Sequence, residues 1–263
     1  MSGKSVYYCE GMKLFGESIV KHYGYKRYDP TTDIDAPTLF EGLYFQQCYD
    51  AFKNHKGERT VYWNGSDVYR AMTNPSWQKI LKETPATHLC GSAAYIPELA
   101  SIGVKATHHP LLFGDITSYE LSYKHSENPQ VYMTAHPGRE REYGVPLAIQ
   151  VAKETGVRFH IYGLEGESTG EIIFHGFIDP TIMDKEIQEF QGAVKFIARD
   201  GISQTVAKSC LLAQYPMSVN KIEKVWHTPT KNELVAYLNK LKDQKEPNIE
   251  LRNHYLEVFG KGI

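Results

Sequence analysis

Short apolar runs closed by glycine, proline or aspartate alternate along this chain with longer stretches whose apolar positions recur every three or four residues. The first pattern marks strands buried on both faces, and the second marks helices with one face turned to a core. The early part of the chain predicts strands over 5–9, 38–43, 60–63, 87–90 and 104–108, with helices over 16–22, 45–55, 74–81 and 96–102. A polar stretch over 113–128 breaks the rhythm. It restarts with strands over 131–135, 158–162, 171–174, 193–197 and 215–219, and helices over 145–155, 182–190, 203–212, 231–242 and 249–259. Gly156 closes the helix over 145–155.

Strands alternating with crossover helices make parallel sheet. Two such runs predict an α/β protein of two Rossmann-like lobes whose parallel sheets face a central cleft. The first lobe is expected over 1–115, the second over 116–245, and a closing C-terminal helix over 246–263. Ligands of such sheets bind outside the carboxyl ends of the strands.

Composition refines this picture little. With 263 residues, 41% hydrophobic and 23% charged, the chain is long enough for two lobes of ordinary domain size. A net charge of −2 argues against a general nucleic-acid binder, while leaving room for a local basic face. Cys9, Cys48, Cys90 and Cys210 show no Cys-x-x-Cys spacing and suit buried thiols in a reducing compartment. No apolar run approaches the roughly 20 residues of a membrane span, and the N-terminus lacks a signal peptide's apolar core. The expectation is therefore a cytoplasmic protein with no membrane span. Tyrosine is the outlier, with 18 copies. Several interleave with basic residues over 21–28, a helix end followed by a loop. The same stretch could offer cations to phosphates and rings to bases, which makes Lys26 and Arg27 candidate acceptor contacts.

Residues 198–219 carry the most specific signal: a strand end, a small-residue turn, a helix and another strand. Gly201 is expected to supply the turn's backbone freedom. Ser203 and Thr205 stand where a helix N-terminus sets hydroxyls and free N–H groups before an anion. Asp200, Gly201, Ile202, Ser203, Gln204 and Thr205 resemble the donor-site turn of GT-B nucleotide-sugar glycosyltransferases, which precedes a helix carrying a functional glutamate. Lys208 stands in that glutamate's place. In the family the glutamate holds the donor's ribose hydroxyls together with an acid eight positions earlier, here Asp200. A lysine cannot accept a hydrogen bond; it could reach a phosphate or pair with Asp200. An active enzyme with a changed donor contact, a noncatalytic lobe and a shifted register are the three readings, and the retained turn favours the first.

The run from His136 to Lys153 is a strand end, a glycine turn, two arginines and a helix. Gly138 and Arg139 resemble the family's donor loop, whose cations hold the nucleotide diphosphate. The loop's usual lysine falls near Tyr143 and is missing, which leaves Arg141 as its substitute. On spacing alone, the Arg-Glu-Arg-Glu run is better explained by charges pairing along a solvated surface; the family context reverses that. Gly163, at the end of a strand, and Phe177 and Ile178, after the next one, match the positions where the family's backbone meets the nucleotide and its base. The resemblance covers residues 129–228 well and the first lobe loosely.

In the first lobe, Trp63, Asn64, Gly65, Ser66 and Asp67 follow a strand and resemble a pattern in small GT-B-like proteins. Asp67 is the leading candidate to activate or orient an acceptor hydroxyl, with Asn64 and Ser66 as acceptor contacts; as a helix N-cap it has an equally good structural explanation. Glu41, at another strand end, is the second catalytic candidate. Glu10, Gly11 and Gly16 suit a loop facing the donor, or simply turn the chain. Asp33 and Asp35 have the spacing of a metal-binding Asp-x-Asp but lie in a Pro- and Thr-rich loop. His108 and His109 point to opposite faces of a strand. No metal is expected.

The resemblance implies a glycosyltransferase, a hexosyl- or pentosyl-transferase, moving a sugar from a nucleotide diphosphate donor, a UDP-sugar foremost, to an acceptor hydroxyl, with retention of configuration. The nucleotide sugar is a co-substrate, and no tightly bound cofactor is implied. Small GT-B enzymes of bacteriophages glycosylate 5-hydroxymethylated pyrimidines in double-stranded DNA, one acceptor consistent with this size; the location would then be the host cytoplasm. Carbohydrate, lipid-linked and protein acceptors are equally open, as is a noncatalytic nucleotide-sugar-binding subunit or a nucleotide-sugar epimerase or hydrolase.

Overall fold

The computed structural model describes residues 3–262. The chain divides into two compact units, the first running to Asp115 and including Lys261 and Gly262, the second Ile116–Gly260. Among the described residues no helix is long and apolar enough to cross a membrane.

The first unit is built from β1 (Ser5–Tyr8), α1 (Lys13–Tyr23), β2 (Lys26–Arg27), β3 (Thr38–Glu41), α2 (Gln46–Asn54), β4 (Arg59–Trp63), α3 (Ser66–Thr73), α4 (Pro75–Glu83), β5 (Thr87–Cys90), α5 (Tyr95–Ser101) and β6 (Ala106–His108). Its six strands form one sheet in the order β2-β1-β3-β4-β5-β6, with parallel pairing throughout. Val6, Leu39, Phe40, Val61 and Trp63 are buried in its core. Gly16 lets α1 lie directly on β1, since a Cβ there would overlap the Tyr8 ring. Asn74 caps α4, accepting from Ser76 N and Trp77 N, with Pro75 as the first helical residue.

The second unit contains β7 (Gln130–Thr134), α6 (Val145–Thr155), β8 (Arg158–Tyr162), β9 (Ile172–Gly176), α7 (Pro180–Glu186), β10 (Gly192–Lys195), α8 (Gln204–Leu211), β11 (Met217–Ser218), β12 (Trp226–His227), α9 (Lys231–Leu241) and α10 (Ile249–Gly260). The sheet order is β12-β11-β10-β7-β8-β9, again parallel. Gly156, with φ of 70°, ends α6 in the left-handed conformation. A capping box between Thr230 and Glu233 starts α9. The last helix packs on α8, where the Arg252 guanidinium reaches the Leu211 carbonyl and donates to Tyr119 O at 2.8 Å.

Several elements depart from the sequence expectation, among them the short strand β12. The end of the 21–28 stretch is a strand, because Lys26 and Arg27 pair with Ser5 and Val6 at the sheet edge. The helix α3 follows β4 directly. The helix expected over 182–190 stops at Glu186 and continues as a 3-10 turn over Ile187–Glu189.

Candidate functional site

In the first unit, two carboxylates meet at the carboxyl ends of β3 and β4. Glu41 ends β3 in register with Tyr62, and β4 runs on through Asn64 into α3. The turn closes at Gly65, whose φ of 150° is one that side-chain-bearing residues rarely adopt. Asp67 lies inside α3, in its first turn, and is fully buried. Its oxygens accept backbone N–H groups from Gly65 at 2.7 Å, Val68 at 3.0 Å and Asn64 at 3.2 Å. The Asn64 and Gly65 N–H groups precede the helix, and Val68 N–H is shared with Gly65 O at 3.1 Å. Asp67 thus holds the turn. Asn64 also donates its side-chain amide to Glu41 Oε1 at 2.9 Å, while Glu41 Oε2 is buried with no hydrogen-bond partner.

Burial dominates the electrostatics here. Loss of solvent pushes the Glu41 carboxyl up to about 8; the Asn64 hydrogen bond opposes this and the Asp67 charge adds to it. Burial also raises Asp67 to about 6, a smaller displacement because its backbone donors favour the ionised form. Ser66, the first residue of α3, is exposed. Lys26 forms an ion pair with the buried Asp33 carboxylate, and Arg27 is exposed beside it. Asp33 therefore has a structural task, anchoring its own loop. Among the described residues no three His, Cys, Asp or Glu side chains gather as a metal site would require.

In the second unit, the carboxyl ends of β7, β8 and β9 are stitched together. Ala135 N donates to Tyr162 O at 2.8 Å, and Gly163 N donates to Gly176 O at 2.7 Å. Only glycine fits at 163, where φ is 81° and a Cβ would lie 2.6 Å from Ala135 O. Beyond β9, Phe177 is 71% exposed and Ile178 half-buried. After β7, Gly138 turns with φ of 78°. Arg139 is exposed and forms a two-pronged ion pair with Glu142, its Nε donating at 2.8 Å, while its guanidinium lies 5.3 Å from the Tyr143 ring centre. Arg141 is exposed. The pairing along the chain that spacing alone suggested is present for Arg139.

The turn over 198–203 differs from expectation in one respect. Its left-handed residue is Arg199, with φ of 66°, and Gly201 is not among the positive-φ glycines. Asn220 Oδ1 accepts the Arg199 N–H at 2.9 Å and so fixes this conformation. Ile202 is buried, Gln204 opens α8, and Ser203 caps it, its hydroxyl accepting from Val206 N at 3.4 Å. Thr205 is buried with its hydroxyl 3.2 Å from that of Thr134 on β7. Asp200 pairs with Lys195, at the end of β10, at 2.9 Å. Lys208 pairs instead with Asp184 on α7 at 2.5 Å. Its ammonium is thus committed to α7 and not to Asp200.

Lys195 is the residue that sequence reasoning missed. Its side chain is 9% exposed, and its ammonium lies 5.5 Å from the Tyr143 ring centre. A buried cation therefore sits beside the very position where the family's loop lysine is missing. The available signal was a lysine closing an otherwise apolar strand.

No family model and no curated protein matches this chain by sequence. Solved structures do resemble it. T4 phage β-glucosyltransferase is 11% identical with a TM-score of 0.58, covering 98% of this chain and 94% of that one. Sucrose-phosphate synthase from Thermosynechococcus elongatus is 9% identical with a TM-score of 0.60, covering 97% and 76%. A variant of S. aureus TarM, solved with UDP, is 11% identical with a TM-score of 0.56, covering 93% and 55%. The fold is that of the GT-B glycosyltransferases. The chain spans little more than half the length of TarM. At these identities the likeness establishes the GT-B architecture of two parallel α/β units, which the resemblance of the 198–219 turn had implied.

Proposed function

We propose that this protein is a GT-B glycosyltransferase that uses a nucleotide diphosphate sugar, with UDP as the carrier, and that Glu41 is the base for the acceptor hydroxyl. The observation that carries this is the free oxygen of Glu41, buried at the carboxyl end of β3 in a GT-B fold. A carboxylate whose affinity for protons is raised toward the working pH is an effective general base. The acceptor O–H gives its proton to Glu41, the oxygen forms a bond to the anomeric carbon, and the bond from that carbon to the diphosphate breaks. The diphosphate leaves with the electron pair. Asn64 orients Glu41, and Asp67 holds Asn64 in turn. Proton uptake by a base during direct displacement favours inversion, against the retention implied by the turn at Asp200.

The nucleotide belongs to the second unit in this reading. Gly138 and Gly163 let the backbone approach it, Arg139, Arg141 and Lys195 answer the developing charge of the diphosphate, and Phe177 and Ile178 meet the base. The turn from Asp200 to Thr205 completes the site, and the Lys208–Asp184 pair braces α8 behind it. A hydroxymethylated base in DNA is the acceptor to test first, with a small carbohydrate beside it.

The test is incubation with a panel of nucleotide sugars, with and without hydroxymethylated DNA, following nucleotide diphosphate release and product mass. Transfer to the DNA at catalytic enzyme levels is expected. Diphosphate release that is independent of every acceptor would replace transfer with hydrolysis, and no release at all would leave a binding protein.

A further inference from the structure

The first unit holds a pocket of about 270 Å³ whose lining includes none of Glu41, Asn64 and Asp67. It opens where the sheet edge is stepped: β2 pairs only with Ser5 and Val6, so Tyr7 and Tyr8 of β1 have no partner in β2. Tyr7, Tyr8, Arg27, Tyr28, Ala51 and Asn54 line it. The Tyr7 and Tyr28 rings meet edge to face at 5.8 Å, and the Arg27 guanidinium lies 5.2 Å from the Tyr8 ring centre.

The wall is fixed before any ligand arrives. Asp33, 1% exposed, accepts from Asp29 N at 2.9 Å and from the Thr32 hydroxyl at 3.2 Å, and it also holds Lys26. Ile34 O accepts from Lys56 N at 2.8 Å and Gly57 N at 3.1 Å. Gly57 has to be glycine, because a Cβ there would lie 2.5 Å from Asp35 O. Of the basic and aromatic groups over 21–28, Tyr25 is buried, the Tyr23 hydroxyl donates to Leu112 O at 2.6 Å, and Lys26 is neutralised by Asp33. Arg27 is exposed and forms no ion pair among the described residues.

We propose that this pocket binds one nucleotide unit, with the base against the tyrosine rings and its phosphate on Arg27. Several features select this chemistry. The volume is at the small end of ligand sites, which begin near about 300 Å³, and takes a base while leaving the phosphate at the mouth. Tyrosine rings stack on or pack against any base, and the Asn54 amide offers both a donor and an acceptor to a base edge. The guanidinium, exposed and without an ion-pair partner among the described residues, is free to take an anion. Free nucleotides and single-stranded nucleic acid both present this chemistry.

The experiment is equilibrium dialysis of the full chain with labelled adenosine 5′-monophosphate, adenosine, or a short single-stranded oligodeoxyadenylate. The monophosphate is expected to bind roughly tenfold more tightly than the nucleoside. Arg27→Ala should erase that preference, and Ala51→Leu, which fills the pocket, should remove the site. Nucleotide-sugar turnover by Ala51→Leu should be unchanged, which keeps this site distinct from the donor site of the second unit. Tighter, strongly salt-dependent binding of the oligonucleotide assigns the site to a strand, and equal binding assigns it to the free nucleotide. Monophosphate binding that is absent, or unaltered in both Arg27→Ala and Ala51→Leu, overturns the proposal. Arg27 is exposed, so its variant reads binding without risk to the fold.

Discussion

Asn64 donates its side-chain amide to Glu41 Oε1 at 2.9 Å while its own backbone N–H reaches both Asp67 oxygens at 3.2 Å. One residue thus links two buried carboxyls and leaves them unequal. Asp67 is surrounded by N–H donors, whereas Glu41 keeps a bare oxygen. Glu41→Gln preserves the shape and the Asn64 contact but removes the base. Sugar transfer should fall about a hundred- to ten-thousandfold, with donor binding unchanged. In the native protein kcat/KM should rise with pH as Glu41 ionises around 8. A profile that is flat through that value, or a Gln variant with native turnover, would remove Glu41 from the chemistry.

The same carboxyl has a consequence for stability. Its proton affinity is raised on folding, so the folded state holds a proton that the unfolded chain releases at lower pH. Stability from this group is complete below the unfolded value near 4.5 and is lost as pH rises toward about 8. Glu41→Gln should therefore melt higher than the native chain at pH 8 and alike in acid, by roughly 2–4 °C for each kcal/mol recovered. Thermal denaturation across that range measures it, and identical melting at both ends contradicts the assignment.

Asp67→Ala should show the complementary result. It strips the side-chain acceptor from the Asn64 and Gly65 N–H groups before α3, at a cost of about 1–3 kcal/mol for each donor left dry, while Val68 N–H keeps Gly65 O as acceptor. The expected outcome is a lower melting temperature in the first unit and, because Asp67 holds the Asn64 that orients Glu41, reduced transfer per folded molecule. Native transfer by the folded fraction of Asp67→Ala would remove Asp67 from positioning the base.

The two α/β units were legible because short apolar strands and amphipathic helices leave different periodicities. The resemblance of the 198–219 turn pointed to the GT-B architecture for the same reason: turn, helix and strand keep their order. What the sequence hid was side-chain choice among neighbours. Nothing local says that Lys208 turns to Asp184 on α7, a partner brought near only by the fold, while Asp200 is taken by Lys195 from within the same turn. The strain at Arg199 was hidden likewise, since Asn220, 21 residues away, holds it in a conformation expected of Gly201.

Lys195 and Arg139 differ in how freely they can meet a diphosphate. Both have a carboxylate partner, Glu142 for Arg139 and Asp200 for Lys195, but Arg139 is exposed to screening water while Lys195 is nearly buried beside Tyr143, where its charge acts at lower dielectric. Lys195→Met should weaken UDP binding more than Arg139→Ala does, and neither should affect acceptor binding. Glu142→Gln, which frees the guanidinium, should tighten UDP binding. Calorimetric titration with UDP ranks the four proteins. Native affinity in Lys195→Met would exclude it from the phosphate site.

Acid should loosen the first unit through His88. The Trp63 indole N–H, which can only donate, lies 3.2 Å from His88 Nδ1, so that nitrogen must carry a lone pair and the ring must be neutral. Burial accordingly lowers the His88 value to about 4. The sign follows from the unfolded chain binding the proton more readily. This contribution is fully present above roughly pH 6.5 and is lost as pH falls toward about 4, at most on the order of 3 kcal/mol. His88→Gln can keep an acceptor toward Trp63 and does not titrate. Its urea midpoint, relative to that of the native chain, should improve as pH is lowered from 7 to 4.5; a constant difference between the two proteins would show that folding leaves the proton affinity of His88 unchanged.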